Sequence, residues 1–307
     1  MCYSAQIKAE YQRYVRAYGA DIDLHEYYDL YWRRRQGAKL KIPRGVDLSF
    51  SAPQTDEERR IKALIDETDA EQAWQWQQEL ARQKQRLARA EAALAAKPTK
   101  KAQDEARIAA NKIAQLRGWL EDLQRTEPQA KDSRIFPGHY APVMVSEHGR
   151  RVVRLMRYQC RPPGKPAHYD ERFPGTYNAR RDNLEGSFWR DLFGRNHGVI
   201  LISSFYENVQ RAGEKAVVEF KPRPEHDLLV ACLWSRWEGE GEVLYSFAAI
   251  TDDPPAEVAA AGHDRCLVPI KPEHLDAWLN PDPSNLQALY AILDDRDRPY
   301  YEHRLAA

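Results

Sequence analysis

From Thr55 to Lys97 the chain runs for more than forty residues without a glycine or a proline. Such a run restricts the fold more than any other feature, because little except a long helix uses it. It opens on Thr55-Asp-Glu-Glu58, the pattern of a helix N-terminal capping box. Leu80, Leu87 and Leu94 then recur every seven residues, with Ala73 and Ala90 filling in. Lys97-Pro98-Thr99 interrupts the run. Beyond it Ala109, Ile113, Leu116, Leu120 and Leu123 fall at alternating spacings of four and three. Two long helices meeting at a turn predict an antiparallel hairpin over residues 55–127, inserted between segments 1–54 and 128–307. A packing or self-association arm accounts for the pattern. Between Arg82 and Arg117, however, ten basic residues face three acidic ones, so the tip is locally basic and suited to a polyanion or a partner protein.

The flanking segments read differently. Tyr11, Tyr14, Tyr18, Tyr27, Tyr28, Tyr31 and Trp32 fall largely at helical spacings, which predicts a packed helix face. After Ser133 the text turns β-prone: 152–158, 198–202, 216–220, 228–234 and 243–250 are short apolar runs separated by Pro-Gly turns. A closing helix is expected near 272–279. The fold class expected is α+β, a curved or barrel-like β core with flanking helices plus the inserted hairpin. With 43% hydrophobic residues the chain can bury a core, and 46 basic residues balance 46 acidic ones. No stretch of 18 apolar residues is present, so no membrane span is expected. The N-terminus lacks the basic start and apolar run of a signal peptide, so a cytoplasmic location is expected.

Candidate chemistry is scattered. None of the four cysteines forms a CxxC pair, and no metal site or cofactor is expected. Cys160, Cys232 and Cys266 lie in apolar text and read as buried, inert thiols. Cys2 follows the initiator Met, and removal of Met1 exposes an amine and a thiol on one residue. Glu207 follows an apolar run, where a carboxyl holds a proton more readily. It is a candidate general acid or base, and a buried ion pair explains it equally well. Asn178-Ala179-Arg180 and His263-Asp264-Arg265 are polar islands that, taken singly, are usually structural.

Taken in order, these islands resemble the SOS response-associated peptidase (SRAP) family, whose members process abasic sites in DNA. The resemblance rests on Met1-Cys2, Arg157-Tyr158-Gln159-Cys160-Arg161-Pro162, Asn178-Ala179-Arg180, Ser204-Phe205-Tyr206-Glu207, Ala231-Cys232-Leu233-Trp234, His263-Asp264-Arg265 and Trp278-Leu279-Asn280-Pro281. It implies a single-stranded DNA-binding protein that forms a thiazolidine cross-link between mature Cys2 and an abasic deoxyribose, with an associated (auto)peptidase activity. In that scheme Glu207 and His263 relay protons and Asn178 orients the adduct. Arg180 and Arg265 grip phosphates, Tyr158 stacks on a base and Pro137 walls the pocket. The chain departs from the family at Cys2-Tyr3-Ser4, where Cys-Gly-Arg is common and one phosphate-binding arginine is missing. Segment 134–195, with twelve basic and six acidic residues among aromatics, is expected to contact the DNA. The alternatives are a cysteine-type peptidase acting on proteins and a non-catalytic DNA-binding relative.

Overall fold

The computed structural model describes residues 4–211, 214–239 and 241–306. Ten strands carry the argument: β1 (Ser4–Ile7), β2 (Arg134–Ile135), β3 (Tyr140–Glu147), β4 (Arg150–Tyr158), β5 (Asn178–Arg180), β6 (His197–Arg211), β7 (Glu214–Arg223), β8 (Leu228–Gly239), β9 (Glu242–Asp252) and β10 (Tyr300–Leu305). Five of them close on themselves. β8 pairs with β9, β9 with β4, β4 with β3, β3 with β6, and β6 returns to β8. All these pairings are antiparallel except β9 with β4. Closure leaves no edge inside the barrel, so every strand is internal, and the apolar runs of β8 and β9 reflect that burial. Leu228 to Leu233 are buried without exception.

The predicted run 198–202 is the first half of a much longer strand. β6 pairs with β8 from His197 to Ile202 and then changes partners. Its second half lies between β1, with Ser4 opposite Tyr206, and β7, with Glu207 opposite Val218. β10 extends this sheet by pairing with β7. The polar text from Ser203 onward conceals the strand because this half no longer lines the barrel. β3 is also absent from the sequence reading, since Pro142 breaks its pattern. Tyr14, on helix α1 (Tyr11–Tyr18), bridges the interruption. Its fully buried hydroxyl donates to the Pro142 carbonyl at 2.9 Å and accepts from the Leu201 N–H at 3.0 Å. Tyr11 packs with Tyr27 and Phe50, as the aromatic pattern predicts.

His197 anchors the start of β6. Its Nε2 accepts from the Gly194 N–H at 2.8 Å, and its Nδ1–H donates to the Trp278 carbonyl at 3.1 Å. Trp278 in turn donates from Nε1 to the Gly198 carbonyl at 3.0 Å. Burial pulls the imidazole pKa down to about 3, against the opposing effect of the Trp278 carbonyl. The three described cysteines are buried and free, and burial pushes the Cys160 thiol up to about 12.

The chain divides into two compact units, one comprising Met1–Leu30, Lys39–Ala52 and Gln129–Ala307, the other Tyr31–Ala38 and Pro53–Pro128. In the second, helix α2 (Asp56–Ala96) and helix α3 (Lys100–Gln124) pack along their length. The capping box is formed: Thr55 Oγ1 accepts from the Glu58 N–H at 3.2 Å, and Glu58 Oε2 accepts from the Thr55 N–H at 3.1 Å. Ala90, Ala109, Ile113 and Leu116 are buried in the seam, while Leu80, Leu87 and Leu94 are half-buried. No helix among the described residues is long and apolar enough to cross a membrane.

Candidate active site

Glu207 sits in the second half of β6 and is wholly buried. The alternation of the strand turns it to the side of Phe205 and away from Tyr206. Its partner is His263, whose Nε2 lies 3.0 Å from Glu207 Oε2. Neither Glu207 oxygen completes a hydrogen bond among the described residues: Oε2 has the ion-pair contact with His263 and Oε1 has none. An orphaned buried carboxylate oxygen is costly unless it serves a ligand.

His263 is delivered by a sharp turn after the short helix Ala256–Ala260. Gly262 there has a φ of +99°, a conformation that side chains resist, and its N–H closes on the Ala259 carbonyl. On the far side of the ring, Nδ1 donates to the Arg265 carbonyl at 2.8 Å. Burial alone lowers the pKa of His263. The contact with and the charge of Glu207, together with the Arg265 carbonyl, outweigh that and hold it above the ordinary imidazole value. The pair is thus a buried carboxylate beside an imidazole that keeps its proton toward neutral pH. This is a proton donor and acceptor in contact.

A second cluster surrounds Asn178. β5 lies parallel to β9, with Asn178 opposite Ala249 and Arg180 opposite Thr251. The Tyr158 hydroxyl donates to Asn178 Oδ1 at 3.2 Å. The Tyr158 ring is only 4% exposed, stacked on Phe247 at 5.1 Å and edge-on to Tyr177. Base stacking, expected of Tyr158 from the resemblance, is at odds with this packing, because Phe247 already occupies one ring face. Its hydroxyl is turned to Asn178 instead. Pro137 reaches the same neighbourhood through its loop: the Gly138 N–H donates to the Tyr158 carbonyl at 2.6 Å, and the Tyr158 N–H to the His139 carbonyl at 2.7 Å.

Arg180 and Arg265 converge on Asp182. Arg180 Nε donates to Asp182 Oδ1 at 2.9 Å, and Arg265 approaches Asp182 at 3.8 Å and Asp253 at 3.6 Å. The structure therefore brings together Glu207 with His263, Tyr158 with Asn178, and Arg180 with Arg265. Cys2 lies outside the described residues.

The sequence reading passed over a further group where β1 begins. Arg134 donates from Nε and Nη2 to Ser4 Oγ, at 3.2 and 3.1 Å. Its guanidinium lies 3.7 Å from the centre of the Tyr206 ring and 5.1 Å from that of Phe136. In the sequence it is one of twelve basic residues in that segment, and only the pairing of β1 with β2 and β6 singles it out.

Over 132 residues, 41% of this chain, the sequence is 33% identical to the abasic site processing protein YobE of Bacillus subtilis strain 168. The chain spans about three fifths of the length of that curated relative. Two solved structures are similar at low identity. One is a protein of Bordetella bronchiseptica, 18% identical with a TM-score of 0.48, covering 57% of this chain and 87% of that one. The other is a protein of Bacteroides thetaiotaomicron, 17% identical with a TM-score of 0.49, covering 57% and 78%. The family model described as SOS response associated peptidase (SRAP) matches residues 100–304, about two thirds of the chain. That stretch contains Pro137, Tyr158, Asn178, Arg180, Glu207, His263 and Arg265, and with it the barrel and the buried carboxylate–imidazole pair, so this chain belongs to the SOS response-associated peptidase family.

Proposed function

We propose that this chain recognises abasic sites in single-stranded DNA and bonds to them covalently through Cys2 after loss of Met1. The observation that carries the reading is the buried Glu207–His263 pair, 3.0 Å apart, whose carboxylate completes no hydrogen bond among the described residues. It is carried by the strand on which β1 pairs, Ser4 lying opposite Tyr206, the neighbour of Glu207.

The chemistry needs an acid and a base in turn. The ring-opened deoxyribose presents an aldehyde, and the unprotonated α-amine of Cys2 adds to its carbon to give a carbinolamine. Protonated His263 donates to the departing hydroxyl, which leaves as water, and the nitrogen gives up its own proton to His263, leaving an imine and a restored imidazolium. The thiol sulfur then bonds to the imine carbon while its proton passes to nitrogen, closing a five-membered thiazolidine. The balance is one aldehyde plus one aminothiol giving one thiazolidine and one water. The Glu207 carboxylate holds the imidazolium in place throughout. Holding amine and thiol on one residue makes the ring closure intramolecular. Asn178, fixed by Tyr158, orients the adduct, and Arg180 and Arg265 bind backbone phosphate once it displaces Asp182.

The test is incubation of the Met-processed protein with single-stranded DNA carrying one abasic site, followed by denaturing electrophoresis beside Cys2→Ala and Cys2→Ser. A heat-stable shifted band that is lost in both variants is expected. No band, from protein whose mass shows Met1 removed, overturns the reading.

A further inference from the structure

We infer that Arg134 is a phosphate-binding residue for the DNA strand, seated where β1 begins; the inference rests on the function proposed above. The argument turns on which cations are already neutralised. Arg180 and Arg265, the two arginines assigned to phosphates, are both held by Asp182, and Arg265 also by Asp253. A phosphate reaching them must compete with a carboxylate. Arg134 has no carboxylate partner among the described residues. Two of its nitrogens donate to Ser4 Oγ, a neutral hydroxyl that leaves the positive charge uncompensated. The carboxylate beyond Tyr206, Glu219, is committed elsewhere. It accepts from Ser204 Oγ at 2.9 Å, from the Tyr206 hydroxyl at 3.1 Å and from Arg304 Nε at 2.8 Å.

The guanidinium is also held in place. It lies over the Tyr206 ring with Phe136 on another side, so little rotamer freedom is lost when an anion binds. Stacking on aromatic faces is compatible with bidentate donation from the edge of the guanidinium plane, the geometry that suits phosphate oxygens. Tyr206 and Glu207 are consecutive on β6 and face opposite sides of the sheet, so Arg134 takes a phosphate that is not the one beside Glu207. A single strand that meets both groups crosses the start of β1.

The experiment measures binding of a fluorescent single-stranded oligonucleotide carrying a tetrahydrofuran abasic analogue, which has no aldehyde and cannot cross-link. Anisotropy titrations between 50 and 200 mM salt compare wild type with Arg134→Gln, Arg134→Lys and, as a control, Arg236→Gln, an exposed side chain of β8. One lost phosphate contact lowers the slope of log affinity against log salt by about 0.7 for a single strand. The affinity ratio of wild type to Arg134→Gln is therefore expected to fall by about 2.6-fold across that range. Arg134→Lys and Arg236→Gln are expected to keep the wild-type slope. Partial unfolding of Arg134→Gln lowers the active fraction at every salt alike and leaves its slope unchanged, so a purely structural role is distinguishable. An Arg134→Gln slope equal to that of wild type overturns the assignment of Arg134 while leaving the proposed function standing. A wild type that does not bind the oligonucleotide overturns both.

Discussion

Acidification should loosen the strand that carries Glu207, through His197 at its start. The imidazole is buried against Trp278 and its pKa is held at about 3. The unfolded chain has it near the ordinary 6.5. Below pH 6.5 the unfolded state therefore binds a proton that the folded state refuses, and stability falls as pH falls, until the folded pKa is reached. At pH 5, about 1.5 units under the ordinary value, the loss is about 2 kcal/mol, and its limit near pH 3 is on the order of 4 kcal/mol. Other groups titrate over the same range, so the reading is a difference between two proteins. His197→Phe keeps a ring against Trp278 but cannot titrate, and it leaves the Gly194 N–H and the Trp278 carbonyl unpaired. At pH 7.5 it should be less stable than wild type by about 2–4 kcal/mol in guanidinium unfolding. At pH 5 the gap should shrink by about 2 kcal/mol, because only wild type pays the protonation term. A gap that is the same at both pH values refutes the reasoning.

The remaining predictions concern the site and the two units. Glu207→Gln removes the charge that holds His263 above its ordinary pKa, so the pH at which the imidazolium deprotonates should move down; an NMR titration of His263 reads this, and cross-linking in the variant should lose its basic limb at a lower pH. Asp182→Asn frees Arg180 and leaves Arg265 with Asp253 alone, so binding of the tetrahydrofuran oligonucleotide should tighten at low salt and its salt slope should steepen. Tyr14→Phe leaves the Pro142 carbonyl and the Leu201 N–H unpaired inside the barrel wall and should cost about 2–4 kcal/mol in denaturant unfolding. Deleting residues 60–124 and rejoining the ends should leave the cross-linked band intact on a denaturing gel, whereas a protein that fails to fold makes the hairpin part of the core.

The hairpin was legible in the sequence because helix signals are local. Thr55 caps Glu58 three residues away, and Ala109, Ile113 and Leu116 repeat within one helix face, so no distant partner is needed to recognise them. The apolar runs of β4, β8 and β9 were legible for a related reason, since these strands are buried within the closed barrel. Individual site residues were named through ordered motifs, yet their grouping was not readable. Glu207 and His263 are separated by more than fifty residues, and only the change of partners halfway along β6 and the Gly262 turn bring them to 3.0 Å. Pro142 hid β3, and the hydroxyl that bridges its carbonyl to the Leu201 N–H comes from Tyr14, far away in the chain. Burial of Tyr158 was likewise decided by Phe247 on β9. Arg134 looked like any arginine of a basic segment until strand register set it against Ser4 and Tyr206 without a carboxylate. Local periodicity and capping thus determined which elements form; which charges meet, and which remain uncompensated, depended on contacts between residues that the sequence keeps far apart.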